Sequence, residues 1–197
     1  MKKQSSIFGL CVIIFLFVLI PSASLLIAEP KEHATKIETF LSKVDTLIIN
    51  ESVDLGMVEG TYGANVEIKA IASYEPAIGS QKVSGFHITV LGGGRNEQRK
   101  TVYVDMDEIE NVSKALEYMI SLSEKWKAVR RINTEVAFTT KDSFRVGFSQ
   151  NGYAWKGFAS GSGDVEAVCN FNSLENLKTL KSLIDTGLEW LKGSEGR

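Results

Sequence analysis

The chain is poor in the residues that most often carry chemistry. It has two cysteines, two histidines and three prolines in 197 residues. Cys11 lies in an apolar run near the start, with no lipobox before it, so it is not read as a lipidation site. Beyond that run only Cys169 remains, which excludes an intramolecular disulfide there. His33 and His87 have no partner at metal-ligand spacing, which argues against a zinc site. There is no Gly-x-Ser-x-Gly elbow and no His-Glu-x-x-His pair. Gly92-Gly93-Gly94-Arg95 lacks the Gly-Lys-Ser/Thr ending of a phosphate loop and reads as a hairpin tip. Cys169 alternates with Val165, Ala167 and Phe171 and is expected in the core. His87 lies opposite Phe86 and Ile88 and is expected at the surface, so the two make no nucleophile–base pair. No catalytic residue, metal ligand or cofactor is assigned.

One long apolar run stands out. Met1-Lys2-Lys3 precedes an unbroken apolar stretch from Ile7 to Ile20, followed by Pro21-Ser22-Ala23-Ser24. A basic start, an apolar middle and a small-residue exit make a secretory signal, with cleavage after Ser24 or Ala28. The alternative is an uncleaved anchor: residues 7–28 together reach the roughly 20 residues a spanning helix needs. Either way the remainder is expected outside the membrane, periplasmic or extracellular. Without residues 1–28 the chain keeps 20 basic against 24 acidic residues, a net charge of −4. That balance gives the molecule as a whole no electrostatic reason to seek nucleic acid or anionic lipid.

The rest reads as one α+β domain. Residues 29–44 form an amphipathic helix, with Ile37, Phe40, Leu41 and Val44 on one face. Strand patterns follow at 46–50, 65–74, 83–91 and 99–105, alternating apolar and polar residues as half-buried strands do. A helix over 108–127 presents Ile109, Val112, Leu116, Met119 and Trp126, with Asp107 as cap and Glu110 completing a capping box. The plan then repeats: strands at 134–139, 143–149, 153–159 and 165–171, and a helix over 173–192. Asn151-Gly152 predicts a type I′ hairpin turn. The helix starts overlay at an offset of 65. The expected fold is two repeated units, 45–131 and 132–197, each of about four antiparallel strands plus a C-terminal helix, packed as one domain.

Two four-strand-and-helix units resemble the plan of the whirly and PUR-repeat single-strand nucleic-acid-binding folds. Arg99-Lys100-Thr101-Val102-Tyr103-Val104, leading into an acidic-capped helix, is similar in style. The resemblance covers most of residues 46–192 as topology, with no specific motif of either family, and no binding residue is carried over.

Candidate sites are few. The acidic run Asp105, Asp107, Glu108, Glu110 could offer oxygens to calcium, but capping accounts for two of them and the spacing is not that of a calcium hand. Lys125, Lys127, Arg130 and Arg131 surround Trp126 after the first long helix. They complement the helix dipole or contact an anion: a lipid headgroup, a polysaccharide or a nucleic acid. Tyr103, Tyr153 and Trp155 are strand aromatics able to build a binding face. Tyr103, Trp126, Arg130, Arg131 and Trp155 are therefore the candidate ligand-binding residues. The sequons at Asn50 and Asn111 are treated as chance. The leading functional expectation is an exported, non-enzymatic binding or structural module with a protein, glycan or lipid partner. The alternatives are an exported hydrolase using carboxylates such as Asp105 and Glu67, and a single-strand nucleic-acid binder.

Overall fold

The computed structural model describes residues 34–194 apart from 78, 80 and 96. The expected signal segment 1–28, the first residues of the expected N-terminal helix, and His33 lie outside the described residues. In order, the chain forms α1 (Lys36–Leu41), β1 (Ile49–Glu59), β2 (Asn65–Tyr74), β3 (Val83–Leu91), β4 (Arg99–Asp105) and α2 (Met106–Trp126). Then follow β5 (Arg131–Thr139), β6 (Phe144–Gly152), β7 (Ala154–Gly161), β8 (Ala167–Phe171) and α3 (Leu174–Ser194). The strands make two antiparallel four-stranded meanders, β1-β2-β3-β4 and β5-β6-β7-β8. The α+β reading with two repeated units is what the chain adopts.

Alternation decides which face of the first sheet is buried. Val66, Ile68 and Ala70 on β2 pair with Val90, Ile88 and Phe86 on β3, and the last two pair with Val102 and Val104 on β4. All eight are buried. In the second sheet Phe148, Val146 and Phe144 share a face with Ala159, Cys169 and Phe171. Residues of both sheets and both long helices join in a single core. The helices run antiparallel, tied by Lys192–Glu110 at 2.8 Å, Asp185–Ser113 at 2.5 Å and Lys178–Glu124 at 3.3 Å.

α3 does not stay with its own sheet. It lies across β1 and β2 of the first, while α2 touches β3 and β4 of its own sheet and β5 and β6 of the other. Gly187 allows this approach: a Cβ there would stand 2.4 Å from Leu55 Cδ1 and 2.6 Å from Phe86 Cε1. Leu177, Leu180, Ile184 and Leu191 of α3 are fully buried. At about 1.5–3 kcal/mol for each large apolar side chain, they stabilise the seam far more than local helix propensity could.

Several boundaries differ from the sequence reading. β1 begins at Ile49 and runs on to Glu59 through a bulge at Asp54–Gly56, which interrupts the alternation that would have revealed it. α1 has six residues, and its capping box is Thr35 with Glu38. α2 starts at Met106, so its cap position is Asp105 and not Asp107; that carboxylate makes no cap bond to α2. It accepts instead from the backbone amides of Lys36 (2.9 Å) and Ile37 (3.2 Å), fastening α1 to the outer face of the first sheet. Asp107 is then free to bind Lys36 at 3.0 Å, and Glu110 binds Lys192. The hairpin turn lies one residue later than expected. Asn151 pairs with Ala154, and of the intervening residues only Gly152 has positive φ, at 64°, the sign pattern of type II′. Val165 lies in a loop before β8 and is partly exposed. Both helix starts and the starts of β4 and β8 (106 to 174, 99 to 167) repeat at an offset of 68, three more than the capping pattern suggested.

Candidate functional site

Three of the five candidate residues meet at one end of the second sheet. Trp126 closes α2, Arg131 opens β5 and Trp155 is the second residue of β7. Phe148 joins the tryptophans: its ring meets Trp126 edge-on at 5.9 Å and lies nearly parallel to Trp155 at 6.1 Å. The Arg131 guanidinium lies over the Trp126 ring at 4.0 Å, while its Nε is buried without a hydrogen-bond partner. Gly157 makes room for Trp155, since a Cβ there would stand 2.7 Å from the indole. The indole N–H donates to Ser123 Oγ at 3.2 Å and sets the ring's orientation. Arg130 is exposed in the turn between α2 and β5.

A cleft of about 450 Å³ opens beside Trp155, between the end of α2 and the start of α3. Trp155 and Leu174 give it apolar wall; Tyr153, 66% exposed, stands at its mouth. Ser123, Glu124, Lys127, Gln150, Asn172, Glu175 and Lys178 supply polar groups. The volume falls in the range of small-molecule sites, and the lining is more polar than most of them, which suits a ligand rich in hydrogen-bonding groups. The side chain of Gln150 is 2% exposed and donates to the carbonyls of Val129 (2.9 Å), Trp126 (3.3 Å) and Gly152 (3.3 Å). That amide pins the turn bearing Arg130 to the floor of the cleft. Lys178 reaches Glu175 at 3.0 Å and Glu124 at 3.3 Å. With Lys127 counted, two carboxylates and two ammonium groups balance within the cleft.

Outside the cleft the balance fails. Among the described residues, Lys125, Arg130 and Arg131 beside it make no ion pair, nor do Arg95 and Lys156 elsewhere, whereas Lys36, Lys43, Lys69, Lys100, Lys114, Lys141, Lys181 and Lys192 each face a carboxylate. A helix C-terminus offers about half a negative charge. Three cations exceed it several-fold, so most of this positive charge has no partner in the protein. Gln150 is the cleft residue that sequence patterning could have flagged: it continues the inward phase of Phe144, Val146 and Phe148 as a polar residue. Ser123, Glu124, Glu175 and Lys178 carry no such signal, because two helices from different halves bring them together.

Tyr103 lies elsewhere, on the outer face of the first sheet. Its ring meets His87 edge-on at 5.4 Å, beside a shallow groove of about 270 Å³ that Leu41, Asn50, Lys69 and Ile71 also line. His87, expected at the surface, is partly buried, with Nδ1 enclosed and unpartnered. Burial first, then the neighbouring Lys69 charge, hold its pKa below the usual imidazole value. Cys169 is fully buried, and burial pushes its thiol up to about 12. The carboxylates proposed for hydrolysis do not meet. Asp105 is opposite Gly85, which pairs with Ile71, four residues along β2 from Glu67. That is roughly 13 Å along the strand and two strands across, beyond the 5–9.5 Å or so of working carboxylate pairs. Both oxygens of Asp105 are also taken by α1. Among the described residues no three His, Cys, Asp or Glu side chains converge as a metal site, and no helix is long and apolar enough to cross a membrane.

Compared with known protein families, with curated proteins and with solved structures, the chain gives no match. Fold and site together define an α+β domain of two four-strand-and-helix units with an aromatic cleft and a basic rim where they join.

Proposed function

We propose that this chain is an exported, non-enzymatic binding domain that takes an anionic, ring-bearing ligand at the cleft beside Trp155. The observation that carries the reading is the meeting of an aromatic cluster and its adjoining cleft with a run of cations that no carboxylate pairs. The signal-like start supports export. Binding explains the arrangement better than hydrolysis does. A carboxylate hydrolase needs one carboxyl able to donate a proton, and the two acids in the cleft, Glu124 and Glu175, both hold Lys178.

Tryptophan emission tests the reading directly, because Trp155 lines the cleft and Trp126 lies just across Phe148 from it. Anionic oligomers of several backbones should shift it in a saturable way, and Tyr153→Ala should weaken that response without lowering the unfolding midpoint. Saturable binding unaltered by Tyr153→Ala, Arg130→Ala and Arg131→Ala would place the ligand elsewhere.

A further inference from the structure

Resting on that reading, we propose that the ligand is an acidic polysaccharide in which neutral and anionic sugar units alternate. Inside the cleft the two carboxylates and two ammonium groups cancel. A unit seated against Trp155 and Leu174 therefore gains nothing from carrying charge, and an anion there would face Glu124 and Glu175. Hydroxyl groups suit the same surroundings, since carboxylates accept from them and ammonium groups donate to them. The apolar face of a sugar ring suits the indole and leucine wall.

The uncompensated cations begin just outside. Arg131 opens β5 opposite Gly152, and Trp155 lies on β7 opposite Gln150. Two strand spacings, about 10 Å, separate β5 from β7. A ligand that fills the cleft and also reaches Arg130 and Arg131 must extend past one ring and carry its anion on the neighbouring unit. Nucleic acid departs from this pattern. It carries a phosphate at every step, so a base in the cleft brings a charge close to the two glutamates. A lipid headgroup would use the cations and leave the cleft empty.

The experiment is a titration of tryptophan emission, in the whole secreted or detergent-extracted chain, with four probes at two salt concentrations. The probes are a hyaluronate octasaccharide, dextran, an oligothymidylate of similar length, and phosphatidylglycerol vesicles. Hyaluronate should bind best. Arg130→Ala, at an exposed side chain, should weaken it by about three- to fivefold, the scale of one exposed charge contact; Arg131→Ala, at a half-buried side chain stacked on Trp126, should weaken it at least as much, and raised salt should weaken it further. Tyr153→Ala, at a side chain that is 66% exposed, should weaken hyaluronate while the fold stays intact. Equal binding of dextran would overturn the acidic requirement. Tighter binding of oligothymidylate or vesicles would overturn the polysaccharide assignment, while sensitivity to Tyr153→Ala would keep the cleft as the site. No response to any probe would remove both readings.

Discussion

At the scale of single residues, the chain spends its few polar inward positions on architecture. Gln150 ties three carbonyls, Asp105 caps a helix far away in sequence, and Ser123 holds an indole. His87 differs, because its enclosed Nδ1 has no partner, and among the described residues it is the one titratable imidazole with such an atom. Its folded pKa lies below the free value of 6.5, so the unfolded chain takes up the proton more readily. The stability held by the neutral ring is present above pH 6.5 and is lost as pH falls from there through the depressed folded pKa. The unfolding midpoint should therefore decline on acidification below pH 6.5, and His87→Gln should flatten that decline. Asp107, Glu110 and Asp164 have pKa values lowered by hydrogen bonds from Lys36, Lys192 and Lys100. Their contributions disappear only as pH falls through the carboxylate range, so the two windows separate. A midpoint that stays level between pH 6.5 and 5 would show that His87 is not desolvated as described.

At the scale of elements, α3 is a piece that joins the two halves. It reaches across to the first sheet, and Gly187 is where its backbone comes closest. Gly187→Ala would gain about 1 kcal/mol of helix propensity. Against that, its methyl would press on Leu55 and on the fully buried Phe86, and overpacking of this kind costs about 1–3 kcal/mol. The expected net is a loss of roughly 1 kcal/mol, read as a lower urea midpoint with an unchanged slope. A gain in stability would mean that the slot beneath α3 yields. α1 was legible as amphipathic from Ile37 and Phe40. Its anchor was not, because Asp105 reads as strand end or helix cap and the bond it makes spans 69 residues.

At the scale of the whole molecule, the repeat does not make two independent units. Phe86 of the first half lies beneath α3, and Lys100 and Val102 lie against Gly161 of the second sheet. Residues 34–130 and 131–194, made separately, should each lack a cooperative unfolding transition, because each loses the partner that covers its apolar face. Calorimetry of each piece alone and of the mixture checks this: a sharp endotherm from either piece alone would show that the core divides. The same interlocking builds the cleft, since Glu124 and Lys127 come from the first half and Trp155, Leu174 and Lys178 from the second.

By itself the sequence determined the fold class, most strands and the two long helices, because period-two and helical patterns record which faces are buried. It also exposed the basic run around Trp126 and the aromatic strand positions. Only the tertiary structure decided that Trp126, Arg131 and Trp155 share one end of a sheet while Tyr103 lies on another, and that two helices close a charge-balanced cleft beside them. The physical reason is range. Periodicity reports each element's own inside and outside, whereas a site made by α2, α3 and β7 depends on how those elements cross, which Gly187 and the buried side chains along α3 set.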